Sequence, residues 1–98
     1  MSGNDIEETY NRIKTHKGVV GAIIANQEGV SLRSSLDNST TVQYINAVKD
    51  LTYKGSSLVR DIDPENELTF IRVRSKKNEI MIAPDKDHNI IVIQNPNE

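Results

Sequence analysis

Residues 60–96 read RDIDPENELTFIRVRSKKNEIMIAPDKDHNIIVIQNP, and this stretch decides the fold. Three apolar runs, 68–73, 80–83 and 90–93, are separated by Ser75-Lys76-Lys77-Asn78 and Pro84-Asp85-Lys86-Asp87. Short runs rich in Ile and Val, bounded by turn residues, predict consecutive strands of an antiparallel meander. In the first strand Leu68, Phe70, Arg72 and Arg74 share one face, and Thr69, Ile71 and Val73 share the other. The last strand is apolar on both faces, which predicts a central place in the sheet. Carboxylates fall mostly in the turns, so the pattern reads as a surface built to pair strands and be covered, not as an active site.

Upstream, a helix of roughly twenty residues is predicted, about 30 Å long at the standard rise. It follows a cap-rich connection, Asp37-Asn38-Ser39-Thr40, and leaves through Asp61-Ile62-Asp63-Pro64-Glu65-Asn66. Pro64 forces Asp63 out of helical geometry. Tyr44, Val48, Leu51, Gly55 and Leu58 lie on one face at 4-3-4-3 spacing, and Thr41, Ile45, Thr52 and Val59 widen it. Val42 and Tyr53 point elsewhere. So wide a stripe suits a deeply seated helix, or one that also meets a second subunit. Gly55 weakens helix propensity by up to ~1 kcal/mol, which suggests close packing there.

Closer to the N-terminus, residues 6–17 predict a helix with Ile6, Thr9, Tyr10 and Ile13 on one stripe. Asp5 and Glu8 form a candidate capping box, and Gly18 supplies a stop. Residues 19–25 predict a buried strand, and Asn26-Gln27-Glu28-Gly29 a hairpin turn with Gly29 at a left-handed position. Alternation over residues 30–35 marks a half-exposed edge strand. The predicted order is α-β-β-α-β-β-β: one α+β domain over residues 1–98, with a five-stranded antiparallel sheet covered by helices.

Composition narrows the function classes. The 98 residues carry a formal charge of -2 and no cysteine. A dedicated nucleic-acid binder is normally strongly basic, and without cysteine no disulfide, thiol nucleophile or Cys-ligated zinc exists. The polar N-terminus lacks the apolar core of a signal peptide, and no run approaches the ~20 apolar residues of a membrane span. An intracellular protein is expected, so Asn38-Ser39-Thr40 reads as a chance glycosylation triplet.

Candidate chemistry fails position by position. Asp85-Lys86-Asp87-His88-Asn89 begins like a calcium loop, but its sixth position is Ile90 and its twelfth Pro96. The loop at Asp61 fails likewise, with Asn66 and Arg72 at those positions. Gly18-Val19-Val20-Gly21 lacks the basic setting of an RNA-clamping loop and reads as a helix stop plus a closely packed strand glycine. His16 and His88 show no metal or triad spacing and read as solvated. Arg72, Arg74, Lys76 and Lys77 are the basic cluster, either a solvated strand end or a landing site for an acidic partner. No nucleophile, base and orienting group can be assembled; no enzyme activity and no cofactor are expected.

The chain resembles the roadblock-type dynein light chains nearly end to end. The likeness is closest over 60–64, 68–81, 83–87 and 91–96, and Lys17-Gly18-Val19, Asn26, Glu28-Gly29, Asp37-Asn38 and Thr40-Thr41 also fit. The resemblance implies a roadblock/longin-like fold and a homodimer whose sheets join through edge strands. The joining edge would be Leu68, Thr69, Phe70, Ile71, Arg72, Val73 and Arg74, and Tyr44, Val48, Leu51 and Gly55 would meet the partner helix. It further implies a non-catalytic light chain that binds the dynein intermediate chain and supports cargo transport on microtubules, in the cytoplasm and cytoskeleton or in a cilium. A paralogous light chain is a further candidate partner; nucleic acid and membrane insertion are not expected. Arg72, Arg74, Lys76 and Lys77 are the candidate partner contacts. The same fold elsewhere serves scaffolds and regulators of small GTPases, which is the alternative reading. Two departures stand out: His88-Asn89, where something more aromatic or apolar is expected, and Gly55, where alanine is usual.

Overall fold

The computed structural model describes residues 3–85 and 87–96, with backbone only at 3 and 4. Its elements are α1 (Gly3–Lys14), β1 (Val19–Asn26), β2 (Ser31–Ser34), α2 (Asn38–Ile62), β3 (Ile71–Arg74), β4 (Glu79–Pro84) and β5 (His88–Gln94). The strands form one antiparallel sheet in the order β2-β1-β5-β4-β3. The expected class and element order are those observed, with β5 central and β2 and β3 at the edges. Lys86, expected in the β4–β5 turn, lies outside the described residues.

Alternation along the strands sorts side chains onto two faces. Ile23 and Ala25 of β1, Ile82 of β4, and Ile91 and Ile93 of β5 form the main core beneath Ile45 and Val48 of α2. On the opposite face Ala22 and Ile24 meet Tyr10, Ile6 and Ile13 of α1. Five consecutive buried residues in β1 follow from this two-sided cover. Gly21 allows the close approach inferred for it: a Cβ there would stand 3.0 Å from Leu36 Cδ2 and 3.2 Å from Ile93 Cδ1. Gly29 takes φ +88° in the β1–β2 turn, the left-handed conformation expected.

Boundaries differ from expectation most in α1, α2 and β3. α1 begins and ends earlier, at Gly3 and Lys14, so Asp5 lies inside its first turn rather than capping it. His16 and Lys17 fall in the following turn, which the His16 N–H closes onto the Ile13 carbonyl at 3.1 Å. α2 reaches 25 residues because Asp37 caps it: its carboxylate accepts the Thr40 N–H at 2.9 Å. Those hydrogen bonds from Thr40 hold the Asp37 carboxyl below its usual pKa. Residues 38–40, expected as connection, thus become the first turn. Finally, β3 starts at Ile71, not Leu68. In the observed register Ile71 pairs with Ile82, so a longer β3 would set residue 69 opposite Pro84, which brings no N–H to the ladder.

Candidate protein-interaction site

α2 presents three different surfaces. Thr41, Ile45 and Val48 are buried toward the sheet. Tyr44 packs at the margin of that core, while Leu51, Leu58 and Ile62 stand 39%, 61% and 77% exposed. The stripe read as one apolar face is therefore divided. Val48, expected at a partner helix, packs in the chain's own core and also reaches an apolar groove on the flank of α2. Gly55 likewise has an internal neighbour: a Cβ there would meet Leu68 Cδ2 at 3.3 Å and Ile71 Cδ1 at 3.5 Å.

Beside the exposed flank of α2 lies the β3 edge. Tyr44, Ala47 and Leu51 of α2 with Val73, Ile80 and Ile82 of the sheet line an open, mainly apolar groove of about 170 Å³. Val73 is only partly covered, and Phe70, just before β3, is also exposed. Among the described residues β3 pairs with β4 alone, so its outer hydrogen-bonding edge has no strand neighbour there. An open strand edge next to an apolar groove is what a strand-adding partner needs.

The basic cluster is split as well. Arg72 and Arg74 point to the face opposite α2, where they converge on Glu79. Arg74 Nε and Nη2 each stand 2.8 Å from Glu79 Oε2, and Arg72 Nε lies 3.6 Å from Oε1. Gln94 Nε2 donates to Glu79 Oε1 at 3.0 Å. Glu79 is 2% exposed despite its charge. The Arg74 hydrogen bond, assisted by both guanidinium charges and Gln94, holds its carboxyl below the usual value against the opposing effect of burial. Arg72 also lies over the Phe70 ring at 6.0 Å. Both arginines are thus structural partners of Glu79. Lys76 and Lys77 remain exposed on the β3–β4 turn, which Ser75 and Asn78 close by backbone and side-chain hydrogen bonds.

His88 is not the solvated turn residue expected. It belongs to β5, is buried, and its Nδ1 has no hydrogen-bond partner among the described residues. This is where an apolar or aromatic residue was expected. His16 is exposed, as read. Among the described residues no group of three or more His, Cys, Asp or Glu is placed to hold a metal ion, and no helix is long and apolar enough to cross a membrane.

Sequence reasoning missed the Glu79 centre. Its signal was present: placing Arg72 and Arg74 on one face of β3 asks for an acceptor on the neighbouring strand, and only the register shows that Glu79 faces Arg74. The arrangement as a whole offers an edge, a groove and a paired backing.

The Roadblock/LC7 domain matches residues 5–95. The chain belongs to this family. Its fold is shared with solved roadblock structures of low sequence identity. The MglB protein of Myxococcus xanthus superposes with a TM-score of 0.81 at 13% identity, covering 99% of this chain and 80% of that one. The gliding protein MglB of Thermus thermophilus gives 0.79 at 8%, with 99% and 78% covered. A Roadblock/LC7 domain from Streptomyces avermitilis gives 0.78 at 10%, with 87% and 72% covered. Another MglB structure of this fold is described as having a tetrameric arrangement. As a roadblock domain the chain has the two-helix, five-stranded fold that the sequence resemblance implied.

Proposed function

We propose that this roadblock domain is a non-catalytic homodimer that holds a segment of a larger partner. The observation that carries the reading is the continuity of the unpaired β3 edge with the apolar groove beneath Tyr44, Leu51 and Val73. Two copies related by a two-fold axis would pair β3 with β3 and set the exposed flanks of both α2 helices against one another. A stable interface needs about 800 Å² per partner; edge, groove, Leu58 and Ile62 together offer apolar surface toward it. On this reading Tyr44, Leu51 and the residues from Leu68 to Arg74 flank or form the seam, while Val48 and Gly55 support it from inside.

For the partner, the long sequence resemblance over residues 60–96 favours a dynein intermediate-chain segment, making the chain a roadblock-type light chain of the motor that supports cargo transport on microtubules. The fold comparisons lean toward the second reading, a scaffold or regulator of a small GTPase, since the similar structures named above are MglB proteins and a Streptomyces domain, not dynein subunits. At 8–13% identity they carry the fold rather than the partner, so the sequence resemblance sets our order.

Light scattering and a mixing experiment test the reading together. The expected outcome is twice the 11.0 kDa chain mass at micromolar concentration, and co-elution with intermediate-chain fragments. A stable monomer would end the seam model. A dimer that ignores those fragments but binds a small GTPase in one nucleotide state would establish the second reading instead.

A further inference from the structure

The third surface of α2 carries neither core nor seam. Lys49, Thr52, Ser56 and Arg60 recur along it at helical spacing, with exposed Tyr53 beside them. With Gln27 of the β1–β2 turn and Asn89 of β5 they line an open cleft of about 300 Å³, with no acidic side chain in its lining among the described residues. Neither Lys49 nor Arg60 makes an ion pair among the described residues, whereas the neighbouring Lys54 is tied to Asp50 at 3.3 Å. The Thr52 Oγ1 is buried there without a hydrogen-bond partner among the described residues. Gln27 is held in place by donating its side-chain amide to the Asp85 carbonyl.

We infer that this cleft binds an extended acidic peptide segment. Its fixed charges are cationic and the hydroxyls of Tyr53 and Ser56 and the Asn89 amide can each donate, so it complements carboxylates. The spacing of the charges selects a segment over a small anion. Lys49 and Arg60 are eleven positions apart, about 16 Å along the helix. The Lys49 ammonium is turned toward the β1–β2 turn, 3.9 Å from where a Cβ on Gly29 would stand. A single phosphate would meet one cation. An extended chain advances about 3.3 Å per residue, so carboxylates four or five residues apart reach both. The cleft lies on a different side of α2 from the proposed seam, so the inference does not depend on which partner the seam serves.

The test is a titration of the isotopically labelled full chain with a Glu-rich decapeptide, followed through backbone amide resonances. Saturable shifts at Thr52, Ser56 and Asn89 are expected, with an affinity that drops as salt rises. Lys49→Glu should weaken binding by about tenfold, and Arg60→Gln should weaken it less, while Lys76→Glu on the distant turn leaves it unchanged. A dispersed amide spectrum of each variant shows that the fold is kept. The inference is overturned if no saturable shift occurs, or if Lys76→Glu weakens binding as much as Lys49→Glu. Inorganic phosphate producing the same shifts to saturation would overturn it too, since the cleft would then be a small-anion site.

Discussion

The two faces of the sheet solve the same problem differently. On the α2 face β4 presents Ile80 and Ile82 to a continuous apolar core. On the other face the same strand presents Glu79 and Met81, and beyond the reach of α1 the cover comes from Arg72, Arg74 and Gln94 folding over one buried carboxylate. The first face is held by non-directional burial, which tolerates approximate shapes. The second is held by a charge cluster, which fails when any member is left unpaired. α1 and α2 give a small sheet too little apolar cover for both faces, and the polar solution completes the uncovered corner next to the β3 edge.

Adjacent residues of β4 offer the sharpest way to break this contrast. Ile82→Ala should lower unfolding free energy by about 2–5 kcal/mol, whereas Met81→Ala, one residue away on the charged face, should cost about 1 kcal/mol or less. Urea denaturation measures both, and equal losses would mean that the faces are not energetically distinct.

The charged face is probed by Glu79→Gln, which keeps the shape and removes the charge. Because the folded pKa of Glu79 is depressed, its stabilisation is present above the unfolded value of about 4.3 and is lost as pH falls through the folded value. The wild-type chain should therefore be more stable than Glu79→Gln at neutral pH, with the gap closing in acid. Thermal melts from pH 7 to pH 2 read this directly; a gap that widens in acid would refute the assignment.

The smallest expected effect concerns how α2 is seated over its face. Asp37→Ala removes the acceptor for the Thr40 N–H and should lower the melting temperature by about 4–8 °C. An unchanged melting temperature would show that packing of Thr41, Ile45 and Val48 alone fixes the start of the helix.

Element order, the central place of β5 and the edge place of β2 were legible in the sequence because each rests on local chemistry: period-two runs, turn residues and glycines at left-handed positions. The candidate site was only half legible. Periodicity placed Val48 and Leu51 on one stripe, but α2 turns so that Val48 enters the core and Leu51 stays partly exposed. The four cations looked like one cluster because they are close in sequence, yet alternation and the β3–β4 register bind two of them to Glu79.

The sequence by itself determined the fold class and the family resemblance, since hydrophobic pattern and turn chemistry act between neighbours along the chain. Only the tertiary structure decided which groups are spent internally. The burial of Glu79 and His88, the neighbours of Gly55, the late start of β3 and the cleft along Lys49 and Arg60 all arise where distant segments meet. Such meetings depend on register and helix rotation, and a shift of one residue or a fraction of a turn would reassign each of them.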